Sequence, residues 1–217
     1  MVDTPRHMGR FSVRSTLLSA AVGLVTCSGF AVMVEAQANP RSTFPGRRVG
    51  GGTRGECSAR SLIHLVPESS VYAPGSSGLI GLLQGPSSSP VSLTVSFKPE
   101  NGSEESTRTL PATPANIVLM AAKLQSSTVW ESSFNCNSGE RGNNSDPMAF
   151  VQAIAPPALS LLVLDVEPSD QPIQKSLNSL QTQCGKTVST SQAMAQFGLS
   201  DLITEEWPKQ LPVRCLS

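Results

Sequence analysis

The chain reads as a mainly β protein: an immunoglobulin-like antiparallel β-sandwich with a small α-helical C-terminal appendage. Three observations point there. Residues 91–98 and 128–136 alternate apolar and polar side chains with a period of two, as strands with one buried and one wet face do. With 17 glycines, 17 prolines and only 5% aromatics, the composition favours short strands and many turns over long helices. A helical stripe appears only after Glu167, where Ile173, Leu177, Leu180 and Cys184 recur at intervals of four, three and four.

The first 38 residues stand apart from that fold. Residues 1–16 carry Arg6, Arg10 and Arg14 against Asp3, residues 17–34 are apolar and uncharged, and Ala36-Gln37-Ala38 follows. A positive start, an apolar middle and a small-x-small end make a signal peptide over 1–38, cleaved after Ala38. The apolar run is close to the length of a membrane span, so an uncleaved anchor is the competing reading. Cys27 is preceded by Thr26 rather than a small residue, which argues against lipidation there. Without Arg6, Arg10, Arg14, Asp3 and Glu35, the 16 basic and 16 acidic residues become 13 and 14, a net charge of −1. That balance calls for no nucleic acid, and for no membrane contact beyond the signal segment if it is kept.

The mature chain has four cysteines, Cys57, Cys136, Cys184 and Cys215. An even count in an exported chain reads as two disulfides. Three pairings are open, and domain locality favours Cys57–Cys136 with Cys184–Cys215. With no C-x-x-C and His64 as the one mature histidine, no metal site is expected, and no cofactor is implied.

Residues 39–54 are expected to be a flexible Gly/Arg-rich lead, with five arginines between Arg41 and Arg60 and Glu56 as the only acid. The sandwich domain is placed at 55–167. Residues 61–66 make a first strand ended by Pro67, and residues 71–78 a loop around Pro74-Gly75. Residues 79–83 make a second strand, in which Gly81 marks a bulge or a close approach. Residues 91–98 turn through Pro99-Glu100-Asn101-Gly102 into a return strand at 107–110, and 116–120 is a further strand. In 128–136 the period of two puts Trp130, Ser132, Phe134 and Cys136 on one buried face. A polar loop at 137–146, a strand at 148–154 and an apolar strand at 159–166 complete the domain.

Residues 168–217 form the helical, disulfide-tied C-terminal segment. Pro172 suits the first turn of its helix and Gly185 the end. Ser189-Thr190-Ser191-Gln192 is a capping box before a second helix stopped by Gly198. Ser200 caps a third, short helix ended by Pro208.

No stretch carries a recognisable reaction. Gly50-x-Gly52-x-x-Gly55 matches the dinucleotide fingerprint letter by letter, but that fingerprint needs a strand before it and a helix after it. A structural glycine loop is the simpler reading, and Arg47, Arg48 and Arg54 remain candidates for an anion or an acidic partner. His64 is read as an ordinary strand histidine, since no G-x-S-x-G singles out a serine for it. Glu68, Glu131, Asp165 and Glu167 define no carboxylate pair. Residues 189–207 look superficially like a helix-turn-helix, but Asp201, Glu205 and Glu206 would repel phosphates. Asn101-Gly102-Ser103 and Asn143-Asn144-Ser145 match the glycosylation acceptor and are read as turn composition.

The run Gly46-Arg47-Arg48-Val49-Gly50-Gly51-Gly52-Thr53-Arg54-Gly55-Glu56-Cys57 resembles a cyanobacterial exported family, the domain of unknown function numbered nine-two-eight. Leu65-Val66-Pro67-Glu68 and the strand from Trp130 to Cys136 are similar to its pattern, so the resemblance covers about residues 45–155 and departs after Pro156. It implies a strand-rich domain behind a signal peptide, an extracytoplasmic location and a bacterial source. It implies no activity and supplies no catalytic positions.

Together these readings describe a secreted or periplasmic, non-catalytic binding or structural module of the cell envelope, whose partner is an unknown envelope protein or ligand. The alternative is an extracytoplasmic hydrolase with a Ser/His or carboxylate site. A hydrolase would bring His64 together with a serine and an acid in a deep pocket. A binding module would show an apolar patch or an open edge strand.

Overall fold

A computed structural model describes residues 39–52, 60–135 and 156–216. In chain order, a one-turn helix α1 (Pro40–Thr43) leads to β1 (Val49–Gly52) and β2 (Arg60–His64). Then come β3 (Val71–Tyr72), β4 (Leu79–Gln84), β5 (Leu93–Pro99), β6 (Ser106–Leu110), β7 (Asn116–Ala121), β8 (Thr128–Phe134) and β9 (Ala158–Leu162). The C-terminal part holds α2 (Gln171–Gln181), β10 (Thr187–Ser189), α3 (Thr190–Gln196) and β11 (Gln210–Leu216). Among the described residues no helix is long and apolar enough to cross a membrane.

The strands form two sheets, a first in the order β1-β2-β4-β7-β11-β10 and a second in the order β3-β9-β8-β5-β6. The mainly β, sandwich-like architecture with a small helical part near the C-terminus is therefore present. The sheets are mixed rather than wholly antiparallel, because β11 runs parallel to β7 and β3 parallel to β9. Each parallel partner arrives after a long excursion of the chain, which such a pairing needs.

Cross-strand register assigns the faces. Leu93, Val95 and Phe97 of β5 stand opposite Phe134, Ser132 and Trp130 of β8 on the side facing the first sheet. His64 of β2 stands opposite Leu82 of β4 on the inner side of that first sheet. The other side of the first sheet is not wet. Gly81, Leu83 and Ile63 face α2, and a Cβ on Gly81 would lie 2.6 Å from Leu177 Cδ2. A helix covers one side and the second sheet the other, which is why residues 79–83 show no alternation. Gly81 thus marks the close approach expected of it. Ile173, Leu177 and Leu180 form the buried stripe of α2. The Ser189 hydroxyl accepts from the Gln192 N–H at the start of α3, and Gly198, at φ +64°, turns the chain out of it.

Four expectations need correction. The C-terminal segment is not helical throughout: Leu211 and Val213 are buried while Pro212 is exposed, and this period of two makes β11 an interior strand of the first sheet. The third helix is a single 3-10 turn, Ser200–Leu202. Residues 71–72, read as loop, pair with β9; two residues are too short to show any periodicity. The lead read as flexible carries regular structure over 39–52. Its β1 pairs with β2, and Arg47 exchanges both backbone hydrogen bonds with Leu159 at 2.8 Å. Only glycine fits that path: a Cβ on Gly50 would meet Ala158 N at 2.3 Å, and Gly51 sits at φ +117° with its would-be Cβ 1.8 Å from the Arg60 carbonyl.

Cys184 and Cys215 are joined, with their Cα atoms 5.6 Å apart. The bond closes a 31-residue separation and ties β11 to the segment that follows α2. The expected Cys57–Cys136 bond, Arg54, the signal segment and the strand at 148–154 lie outside the described residues. Replacing Cys184 and Cys215 together by serine should lower the unfolding free energy by about 2–4 kcal/mol. A matching drop in the urea midpoint would report it.

Candidate functional site

A hydrolase built on this chain would use His64 as its base. β2 aims it across the sandwich at the second sheet. Its Nδ1 lies 2.8 Å from Ser160 Oγ on β9, and its Nε2 lies 2.8 Å from Ser132 Oγ on β8. The ring stacks on Trp130 at 3.5 Å between centroids, with an interplanar angle of 8°. His64, Ser132, Ser160 and Trp130 are each 0% exposed. Burial holds the imidazole well below its ordinary value of 6.5, so the ring is neutral, with one nitrogen donating and the other accepting. No carboxylate is among its hydrogen-bond partners, and it lines none of the three principal clefts among the described residues. The cluster is a polar rivet between two sheets, closed to substrate. Ser132 was placed on the buried face by its period, whereas Ser160 was hidden in a continuous apolar run.

The arginine candidates separate. Arg48 donates from Nη1 to the carbonyls of Val66 and Phe197 at 3.1 and 3.2 Å, and its backbone N–H reaches Ser70 Oγ at 2.9 Å. It fastens the first sheet to the end of α3. Arg47 is exposed, with its backbone tied to β9. Gly50, Gly51 and Gly52 lie in β1 rather than in a loop, and residues 53–59, with Arg54 and Gly55, lie outside the described residues. Among the described residues no three His, Cys, Asp or Glu side chains converge as metal ligands would.

The two ends of the second sheet are treated differently. At β3 the edge is closed. Arg41 of α1 reaches the Val71 carbonyl, pairs with both oxygens of Asp170 at 3.1 and 2.7 Å, and meets Glu167 at 3.0 Å. Asp170 is fully buried and also accepts from the backbone N–H groups of Ala73 and Glu167. Burial, and then the Asp170 charge, pushes the nearby Tyr72 phenol above its ordinary range. Phe44 covers the apolar group of Val71, Ala73, Leu161 and Val163 beside it.

At β6 no further strand is paired among the described residues: residues 106–109 are exposed, and β6 pairs there with β5 alone. The ladder decides which groups are free. Asn135 N–H bonds to Ser92 O and Glu100 N–H to Ser127 O, so the even-numbered residues of β5 exchange hydrogen bonds with β8. In an antiparallel ladder bonded and non-bonded pairs alternate. Leu93, Val95 and Phe97 therefore turn their backbone groups to Leu110, Arg108 and Ser106. The N–H and C=O groups of Thr107 and Thr109 point outward.

Beneath this edge lies a cleft of about 630 Å³. Phe97, Met120 and Leu124 give it an apolar floor, and Arg108, Lys123 and Glu104 form a charged rim. Residues 122–126, in the connection that carries the chain from β7 in the first sheet to β8 in the second, line the cleft at that corner. Arg108 and Lys123 form no ion pair among the described residues, whereas nearby Lys98 pairs with Glu131 at 3.2 Å and Glu105 at 3.8 Å. Sequence reasoning missed this site. A crossing between sheets leaves no periodic signal, and the exposed return strand read as an ordinary hairpin arm.

No protein-family model matches this chain, and neither a curated protein nor a solved structure matches it.

Proposed function

We propose that this chain is an exported, disulfide-stabilised, non-catalytic binding module of the cell envelope that engages its partner at β6 and the cleft below it. The observation that carries the reading is the contrast between the two edges of the second sheet. β3 is sealed by buried charge and an aromatic cover, while the outward backbone groups of β6 meet no partner strand among the described residues and lie above an apolar floor. Natural sheets usually blunt or cover such an edge, because it is a template for another chain. The rival hydrolase reading loses its base, since His64 is sealed between the sheets. Export is supported by the N-terminal charge and hydropathy pattern and by the Cys184–Cys215 bond, which persists in oxidising compartments. The resemblance of residues 46–57 to an exported cyanobacterial family points the same way.

The test is a photo-cross-linking residue placed at Thr109, with an identical one at Asn178 on the exposed side of α2 as control. A discrete adduct is expected from Thr109 in the envelope fraction and none from Asn178. Equal labelling at both positions, or a chain retained in the cytosol with free thiols, would overturn the reading.

A further inference from the structure

We infer that β6 accepts an extended acidic peptide as a sixth strand of the second sheet, with an apolar side chain of the peptide filling the cleft between the layers. The inference rests on the binding-module reading and names its partner by chemistry.

Three features define the occupant. The outward N–H and C=O groups of Thr107 and Thr109 offer the hydrogen-bonding pattern that strand addition uses. An added strand places alternate side chains on opposite faces of the sheet. Its inward residues would lie over Phe97, Met120 and Leu124, and its outward residues beside Thr107 and Thr109. Arg108 faces inward with Leu110, and Lys123 stands on the opposite rim, so two cations without ion pairs among the described residues flank the cleft against the single Glu104. A carboxylate two residues from the apolar anchor stays on the inward face and meets that charge.

A second copy of the chain fits less well. Within the bounds of β6, antiparallel pairing with itself sets Arg108 opposite either its own counterpart or an uncharged residue. The first arrangement is repulsive and the second leaves both cations unanswered. An acidic partner strand satisfies the backbone, the cleft and the charge together.

The probe is an acetylated, amidated heptapeptide in which four threonines alternate with one glutamate and two leucines. Its counterpart carries lysine in place of glutamate. Both are titrated into the mature chain and followed by amide chemical shifts. The expected result is a saturable set of shifts confined to residues 104–110 and 120–125, with the acidic peptide at least tenfold tighter than the basic one. Thr107→Pro removes one outward donor without touching the β5 ladder and should abolish those shifts. Thr109→Pro should do the same, and a melting temperature held within a few degrees shows that either variant is folded. Arg108→Glu should reverse the preference between the peptides.

Absence of shifts at millimolar peptide, or binding that survives both proline variants, overturns the inference. So does a concentration-dependent dimer whose β6 amides are already protected without peptide. A Thr109 cross-link that persists while the peptides fail removes the acidic-strand assignment and leaves the binding-module reading standing.

Discussion

Replacing Arg41 by alanine should lower the unfolding free energy by about 3–5 kcal/mol, a large effect for a single surface-proximal side chain. Asp170 is fully buried, and Arg41 supplies its only side-chain counter-charge within salt-bridge distance among the described residues. Removing the guanidinium leaves a carboxylate away from water with two backbone N–H donors, from Ala73 and Glu167, as its remaining partners. The cost is that of an uncompensated buried charge, well above what a surface ion pair contributes. Adding Asp170→Asn to Arg41→Ala removes the stranded charge and should recover part of the loss. Urea unfolding of the wild type, both single variants and the double variant gives the coupling directly. Additive losses would show that the pair is not coupled and that the closed edge at β3 is held by Phe44 packing instead.

The second large effect lies at the rivet between the sheets. His64→Ala should cost about 3–5 kcal/mol, from a cavity against Trp130 together with two buried serine hydroxyls left unpaired. Because stranded partners dominate, combining His64→Leu with Ser132→Ala and Ser160→Ala should be much milder than His64→Ala alone. The same residue sets a pH dependence. The folded ring is held well below 6.5 by burial, whereas in the unfolded chain it titrates near 6.5. Above that pH both states are neutral at this position and stability does not change with it. As pH falls below 6.5 the unfolded state takes up the proton first, so stability declines toward the lower folded value. The slope approaches about 1.4 kcal/mol per pH unit. With His7 replaced by glutamine, His64 is the one histidine left in the sequence, so unfolding measured between pH 7 and 5 reads its contribution. His64→Gln should flatten that profile. An unchanged slope in the variant would assign the acid sensitivity elsewhere.

Much of the fold was legible because it rests on short-range rules. Alternation in residues 91–98 and 128–134 placed β5 and β8, including the inward faces of Trp130 and Ser132. The stripe of Ile173, Leu177 and Leu180 placed α2, and Ser189 with Gly198 bracketed α3. What failed was what depends on partners far away in the chain. β11 belongs to the first sheet only because β7 lies ready beside it. β1 is a strand of glycines, whose extended path is set by the backbones of β9 and β2 rather than by side chains. The candidate site was illegible for the same reason. Thr107 and Thr109 matter through backbone groups that no composition reveals, and the cleft is lined by the β7–β8 connection as it crosses between layers. Conversely, His64, which most invited chemistry, is used to fasten the two sheets together, and the backbone of Arg47 and Gly51 ties the first sheet to the chain at Leu159 and Pro156.

The position of β11 also sets an order of events. β7 is flanked by β4 and β11, so until Gln210–Leu216 arrives, Ile117 to Met120 present an unpaired apolar edge. Residues 122–209 must be synthesised before that gap can close, and a long loop must be closed to bring the two strands into parallel register. The first sheet is thus completed late, when β11 pairs with β7.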